Sequence, residues 1–277
     1  MAEIFGFDAY SPGEIAEKVE SVGVTKARLP ALSVMMLGVL AGAFIGLGGM
    51  YFNLVASDKA LGFGISRILG GVTFSLGLVL VVVAGAELFT GNNLLVMAWV
   101  SKRISTVELL KNWLIVFIAN AIGSAGIVLF VILSGHWKMA GGAVGEQAVA
   151  IAAYKISLSF EEAFFRGVLC NLLVCLAIWL TLAGRSVIDK ITAIIFPISA
   201  FVAAGFEHSV ANMYFIPLGI LLRKWGLVTP RGAEDLSWGG FIHNLIPVTA
   251  GNIVGGSVLV ALVYYVIYRR AGVIKSR

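Results

Sequence analysis

Charge is scarce in this chain: Asp, Glu, Lys and Arg make up 13% of its 277 residues, against roughly 25% in ordinary soluble domains. Hydrophobic residues reach 59% and mean hydropathy is +0.97, a balance that excludes an ordinary soluble domain. Cysteine is nearly absent. Cys170 and Cys175 share one apolar run, and five positions apart on a helix they face different ways, so they read as apolar filler and not as a disulfide. The three histidines, His136, His208 and His243, supply no pair at matching depth for haem. Neither an H-x-E nor a C-x-x-C spacing occurs, and no phosphate-cradling loop is present, so no metal or cofactor is expected and catalysis finds little support. Basic residues form no stripe interleaved with aromatics, and the net charge of +5 therefore does not point to nucleic acid.

Long apolar runs are what the chain has instead, at roughly 31–56, 68–100, 113–134, 163–183, 191–222 and 245–268. Each reaches or exceeds the length that spans a bilayer, about 18 residues, so six passages through a membrane are expected. About 30 polar residues precede the first run, unlike a cleavable signal peptide, and the first helix is expected to be retained. An even number of passages puts both termini on one side. Most of the twenty Lys and Arg residues fall there, with Lys102-Arg103 and Arg269-Arg270 directly at helix ends, which predicts cytoplasmic termini.

Two strings recur in the two halves. Gly85, Glu87 and Asn92 stand in a G-x-E-x-x-x-x-N pattern, as do Gly205, Glu207 and Asn212. Asn112, Asn120 and Gly123 share the spacing N-x7-N-x2-G with Asn244, Asn252 and Gly255. Residues near 31–134 and 163–268 therefore read as two three-helix repeats inside one channel domain over 31–268. A repeat of three helices inverts when copied in tandem, which brings corresponding elements to the midplane. The second and fifth runs, with Gly85 and Gly91 in one and Pro197, Gly205 and Pro217 in the other, are expected to be broken helices. Irregular backbone at that depth must be buried or line a cavity, so the two breaks should meet.

Residues 1–30 form a cytoplasmic N-terminal segment. Within it, 11–27 reads as a short amphipathic helix capped by Ser11 with Pro12 and Glu14, lying on the membrane surface or on a neighbour. Residues 269–277 form a cytoplasmic tail. Gly38, Gly42 and Gly46 give the first membrane helix a smooth face for close packing, which is one motive for expecting a symmetric oligomer. The stretches 135–161 and 223–243 read as loops opposite the termini, with no fold assigned.

A carboxylate or imidazole at bilayer depth requires a reason. His208 lies in the second break, and imidazole exchanges a proton near neutral pH; a neutral histidine satisfied by backbone is the alternative. Glu87 and Glu207 either accept hydrogen bonds from backbone N–H groups freed by the breaks or face the substrate pathway, for which Glu207 is the candidate, although a permanent anion there would repel anionic cargo. Thr90 offers a hydroxyl and Asn171 an amide. Asn252, like Asn112, Asn120 and Asn244, either ties helices together or touches substrate. Lys155, ahead of the fourth span, either draws anions or is a solvated loop lysine. Phe74, Leu78, Leu88, Phe89, Val174 and Phe201 flank the breaks and are candidates for dry constrictions, or for plain packing.

The strings GAELFTGN, FVAAGFEHSVANM and NLIPVTAGNIVGG, with CNLLVCLAIW and GRSVIDK between them, resemble the formate/nitrite transporter family and its formate-channel branch. The resemblance runs from about residue 7 to residue 270. It implies an all-α, aquaporin-like integral membrane fold, a homopentamer with one pore per protomer, and passage of small monovalent anions. It makes His208 the central pore histidine with Thr90 as its partner, Lys155 a basic residue near the outer vestibule, and Asn171 and Asn252 polar neighbours. The apolar candidates become its constriction residues. Gly91 and Ala204 depart from the serines expected there, and the ELFTG form also occurs in nitrite and hydrosulfide members.

The expectation is a channel or proton-coupled facilitator for formate in a bacterial inner membrane, with protons, lipid and further copies of itself as partners. Nitrite and hydrosulfide are the alternative cargoes. An aquaporin-type solute pore is opposed by the lack of an Asn-Pro-Ala string in either break, and a membrane subunit of a redox enzyme by the missing haem ligands.

Overall fold

The computed structural model describes residues 10–228 and 236–270. Residues 1–9 of the N-terminal segment, Lys275 and Arg277 of the tail, and part of the 223–243 loop lie outside the described residues. Helix α1 spans Pro12–Ala27, with Glu14 and Ser11 exchanging a reciprocal cap and Pro12 in the first turn; a proline costs nothing there because its missing N–H would have no helical partner. The same Ser-x-x-acid cap opens α5 (Thr106–Leu133), α7 (Phe160–Ala183) and α8 (Val187–Ala204). Each box satisfies two of the N–H groups that a helix start leaves open.

Among the described residues six helices are long and apolar enough to cross a membrane: α2 (Ala31–Ala56), α3 (Phe63–Gly85), α5, α7, α8 and α10 (Trp238–Tyr268). Between them lie α4 (Val96–Val100), α6 (Ala143–Ile156) and α9 (Ser209–Lys224). Helix α6 corrects the reading of 135–161 as unstructured loop. At 14 residues it is too short to register as a span, yet Val144, Ala148, Val149 and Ala152 are buried where it runs along α9.

Both strings of the G-x-E type coincide with the end of a helix. Helix α3 stops at Gly85 and α8 at Ala204, and the first glycine of each motif adopts a left-handed φ, +85° at Gly85 and +75° at Gly205. That conformation disfavours side chains and ends helices. After residues 86–90 the chain resumes as a 3-10 turn, Gly91–Leu95, leading into α4; after 206–208 it resumes as α9.

Helix α2 packs along α3 and α5, and α7 packs in the same way along α8 and α10. The glycines explain the closeness. A Cβ at Gly123 would run into the Val39 carbonyl, and one at Gly255 into the Val168 carbonyl. Gly38, Gly42 and Gly46 face Ala119, Asn120 and Ile127 of α5. The smooth face of the first membrane helix is therefore filled within the protomer, and it offers no motive for an oligomer. Cys170 and Cys175 are free and buried.

Candidate functional site

Each break is held by the same set of bonds. In the first half Asn120 Nδ2 donates to Gly38 O at 2.8 Å and Glu87 O at 2.9 Å, while its Oδ1 accepts from the Phe89 N–H at 2.9 Å. In the second, Asn252 Nδ2 donates to Gly167 O at 2.8 Å and Glu207 O at 2.9 Å, and its Oδ1 accepts from the Ser209 N–H at 2.9 Å. The Glu87 N–H reaches Leu37 O, and the Glu207 N–H reaches Arg166 O. Buried main-chain groups must be paired, and once the helix ends one asparagine per half does most of that work. Asn252 has no donor or acceptor idle in this arrangement.

The two carboxylates are also matched, but they do not take up the freed backbone N–H groups as the sequence led us to expect. Glu207 lies 2.8 Å from Lys155 Nζ and accepts from Asn212 Nδ2 at 2.7 Å. Glu87 lies 3.0 Å from Lys26 Nζ and accepts from Asn92 Nδ2 at 2.7 Å. Asn212 also donates to Asn244, whose amide returns to Lys155 O; Asn92 donates to Asn112, which returns to Lys26 O. Lys155 is thus a buried residue of α6 and not a solvated loop lysine. The matched bonds also extend beyond 31–134 and 163–268 to take in α1 and α6. A shared K-x11-G spacing, Lys26 to Gly38 and Lys155 to Gly167, carries that signal in the sequence.

His208 is the N-cap of α9, its Nδ1 accepting from the Ala211 N–H at 3.0 Å. With that lone pair engaged, the ring hydrogen sits on Nε2, which donates to Thr90 Oγ1 at 2.8 Å. One hydrogen bond therefore joins the two breaks. The Phe201 ring stacks on the imidazole with centroids 6.0 Å apart, and Phe74 meets Phe201 edge-on at 5.8 Å.

Three cavities adjoin one another here, with His208 on the walls of two; Thr90 is fully buried and lines none of them. A wide one of 230 Å³, beside α6, is lined in part by Lys155, Glu207, Phe74, Phe201 and His208. Phe74, Phe201 and His208 also line a pinch of only 10 Å³, together with Leu78, Leu88, Val174, Ile45 and Ile198. Leu88 continues into a third cavity of 50 Å³ beside α1, whose walls include Lys26 and Asn92. The pinch is apolar apart from the imidazole.

Five of the six apolar candidates thus meet there. Phe89 does not: its ring packs against Trp113 and Phe117 of α5. Asn171 lines none of these cavities; its amide holds Asn93 Oδ1 and Asn252 O at 2.7 Å, with Thr90 O at 3.2 Å. Ile45, Ile198 and Lys26 complete the set and were not singled out from the sequence. Ile198 stands one helical turn before Phe201, which is the cue that could have found it.

Comparison with known proteins agrees with this geometry. The profile of the family described as formate/nitrite transporter matches residues 13–266. The formate channel FocA of Escherichia coli K12 is 42% identical, over 95% of this chain and 96% of its own. The FocA of Haemophilus influenzae is 38% identical, over 92% and 93%. A solved structure described as a pentameric formate channel with formate bound superposes with a TM-score of 0.81 at 39% identity, covering 86% of this chain and 97% of its own.

Proposed function

The chain belongs to the formate/nitrite transporter family, and we propose that it is a channel or proton-coupled facilitator carrying formate across a bacterial inner membrane. One observation carries this reading: three cavities share walls in succession, the first two at Phe74, Phe201 and His208 and the last two at Leu88, and the middle one is almost wholly apolar. The full-length likeness to channels named for formate supports the cargo. The family description also names nitrite, which makes nitrite the alternative cargo.

An anion cannot cross such a pinch cheaply, because leaving water for low dielectric costs several kcal/mol or more. In the wide cavity the carboxylate loses water, and desolvation raises its pKa. It then takes up a proton near His208 and passes Phe74 and Phe201 as the neutral acid. As the carboxylate arrives, the His208 Nε2–H turns from Thr90 Oγ1 to the anion, the ring being positioned by its bond to the first turn of α9. To relay a proton the ring takes one from the vestibule at Nδ1, releasing the Ala211 N–H, and gives its Nε2 proton to the carboxylate, so it carries charge only in passing. Thr90 orients the ring from the other break.

The matched bonds around Asn120 and Asn252 support two halves related by an inverted repeat, each enlarged to include its lysine-bearing helix. Both termini are assigned to the cytoplasm from the basic helix ends. A homopentamer with transport through each protomer is supported by the pentameric relative, and mass measurement in mild detergent tests it. The cargo is tested by proteoliposome flux of formate, nitrite and hydrosulfide, with chloride as control. Formate flux no greater than chloride flux would overturn the reading.

A further inference from the structure

The wide cavity beside α6 has two cations on its wall, Lys155 and Arg67. Their surroundings differ. Lys155 Nζ sits 2.8 Å from Glu207 Oε1, so its charge is cancelled at short range. Arg67, on α3 and half-buried, forms no ion pair among the described residues. Its Nε donates to Ala203 O and its Nη2 to Val202 O, both at 2.9 Å. These carbonyls close the last turn of α8, just before the break.

A guanidinium has five N–H donors in a rigid fork, and the two carbonyls use two of them. The rest of the fork is free for a ligand, and its planar geometry suits a carboxylate. The end of a helix offers only about half of a negative charge, so the carbonyls hold the group in place without neutralising it. Gly205 is part of this fit, since a Cβ there would come within 3.0 Å of Nη2. The result is a fixed cation on the wall of a cavity whose floor is His208, one step before the apolar pinch.

We propose that Arg67 is the anion-capturing residue of this vestibule. It holds a small carboxylate at the mouth of the pinch, while Lys155 is occupied with Glu207. The inference rests on the formate-channel reading and adds to it the residue that sets the affinity at this end.

The test compares wild type, Arg67→Gln and Arg67→Lys in proteoliposomes, with anion supplied to the α6 face. The readouts are the concentration giving half-maximal flux, the maximal flux, and the dependence of flux on ionic strength. One unit charge about 6 Å from the anion changes affinity about three-fold even at the full screening of water, and more at lower dielectric. Arg67→Gln is therefore expected to raise the half-maximal concentration three-fold or more and to flatten the salt dependence. Arg67→Lys, which keeps the charge and loses the fork, should keep the salt dependence and give a half-maximal concentration between those of wild type and Arg67→Gln. Equal loss of maximal flux in both variants, with unchanged half-maximal concentration, would mean that Arg67 only caps α8 and would overturn the proposal. An unchanged half-maximal concentration and salt dependence in Arg67→Gln would do the same. Running formate, nitrite and hydrosulfide together separates the two ideas: preference for another anion refutes the formate reading, and the Arg67 comparison is then read on that anion. A wild type that carries none of them refutes both.

Discussion

Replacing Asn252 with Ala removes one amide and strands three buried main-chain groups. Gly167 O, Glu207 O and the Ser209 N–H each lose their partner at 2.8–2.9 Å, and Asn252 itself has no exposed surface. If only the bonds mattered, three interhelical contacts at the average measured in membranes, about 0.6 kcal/mol each, would give a loss of about 2 kcal/mol. Orphaned buried groups cost more, about 1–3 kcal/mol apiece, and local relaxation recovers part of that. A loss of about 3–5 kcal/mol is expected. Asn120→Ala strands Gly38 O, Glu87 O and the Phe89 N–H at the same distances, so its cost should agree with that of Asn252→Ala within about 1 kcal/mol. The assay is reversible unfolding of the purified protein in detergent, with oligomer integrity followed in parallel. A loss below about 1 kcal/mol for Asn252→Ala would refute the assignment of this residue to the backbone of the break, since three orphaned groups cannot be that cheap.

His208→Asn keeps the cap on α9, asparagine being a good N-cap, but cannot titrate; formate flux that rises as pH falls from about 8 to 5, bracketing the ordinary imidazole pKa, in wild type should become flat. His208→Phe, which loses both cap and donor, should abolish coupled uptake, and wild-type pH dependence persisting in the Asn variant would falsify the proton-relay role. Glu207→Gln leaves Lys155 as a buried cation without its partner and should destabilise the protein by about 3–5 kcal/mol, while the double change with Lys155→Met should recover most of the loss in the same unfolding assay. Gly255→Ala drives a methyl group into the Val168 carbonyl, so α10 must move from α7; the yield of folded protein should fall sharply, and wild-type yield and stability would show that the contact gives way easily.

Part of the site could be read from the chain because it depends on local chemistry. Gly85 and Gly205 stop their helices through a backbone conformation that belongs to the glycine itself. The serine caps of α1 and α5 likewise act over three residues. The repeated N-x7-N-x2-G spacing marks residues that do the same job in each half, and that job is visible as identical bonds around Asn120 and Asn252. Family membership followed from strings long enough to be specific.

Composition and spacing by themselves determined that this is a membrane protein of six apolar passages, with matching strings in its two halves and polar residues clustered at them. The reason is that hydropathy, glycine conformation and helical period are properties of neighbouring residues. What Lys155, Glu87 and Phe89 do was decided only in three dimensions. A lysine before an apolar run looks solvated until α6 folds it against Glu207, 52 residues away. Phe89 is adjacent to Leu88 and Thr90, yet its side chain turns to α5 while Leu88 faces the pinch. Arg67 is one arginine among many in the sequence, and it gains meaning only because α3 brings it to the last carbonyls of α8 beside a cavity. Burial and charge pairing are set by contacts between distant segments, and no local pattern encodes them.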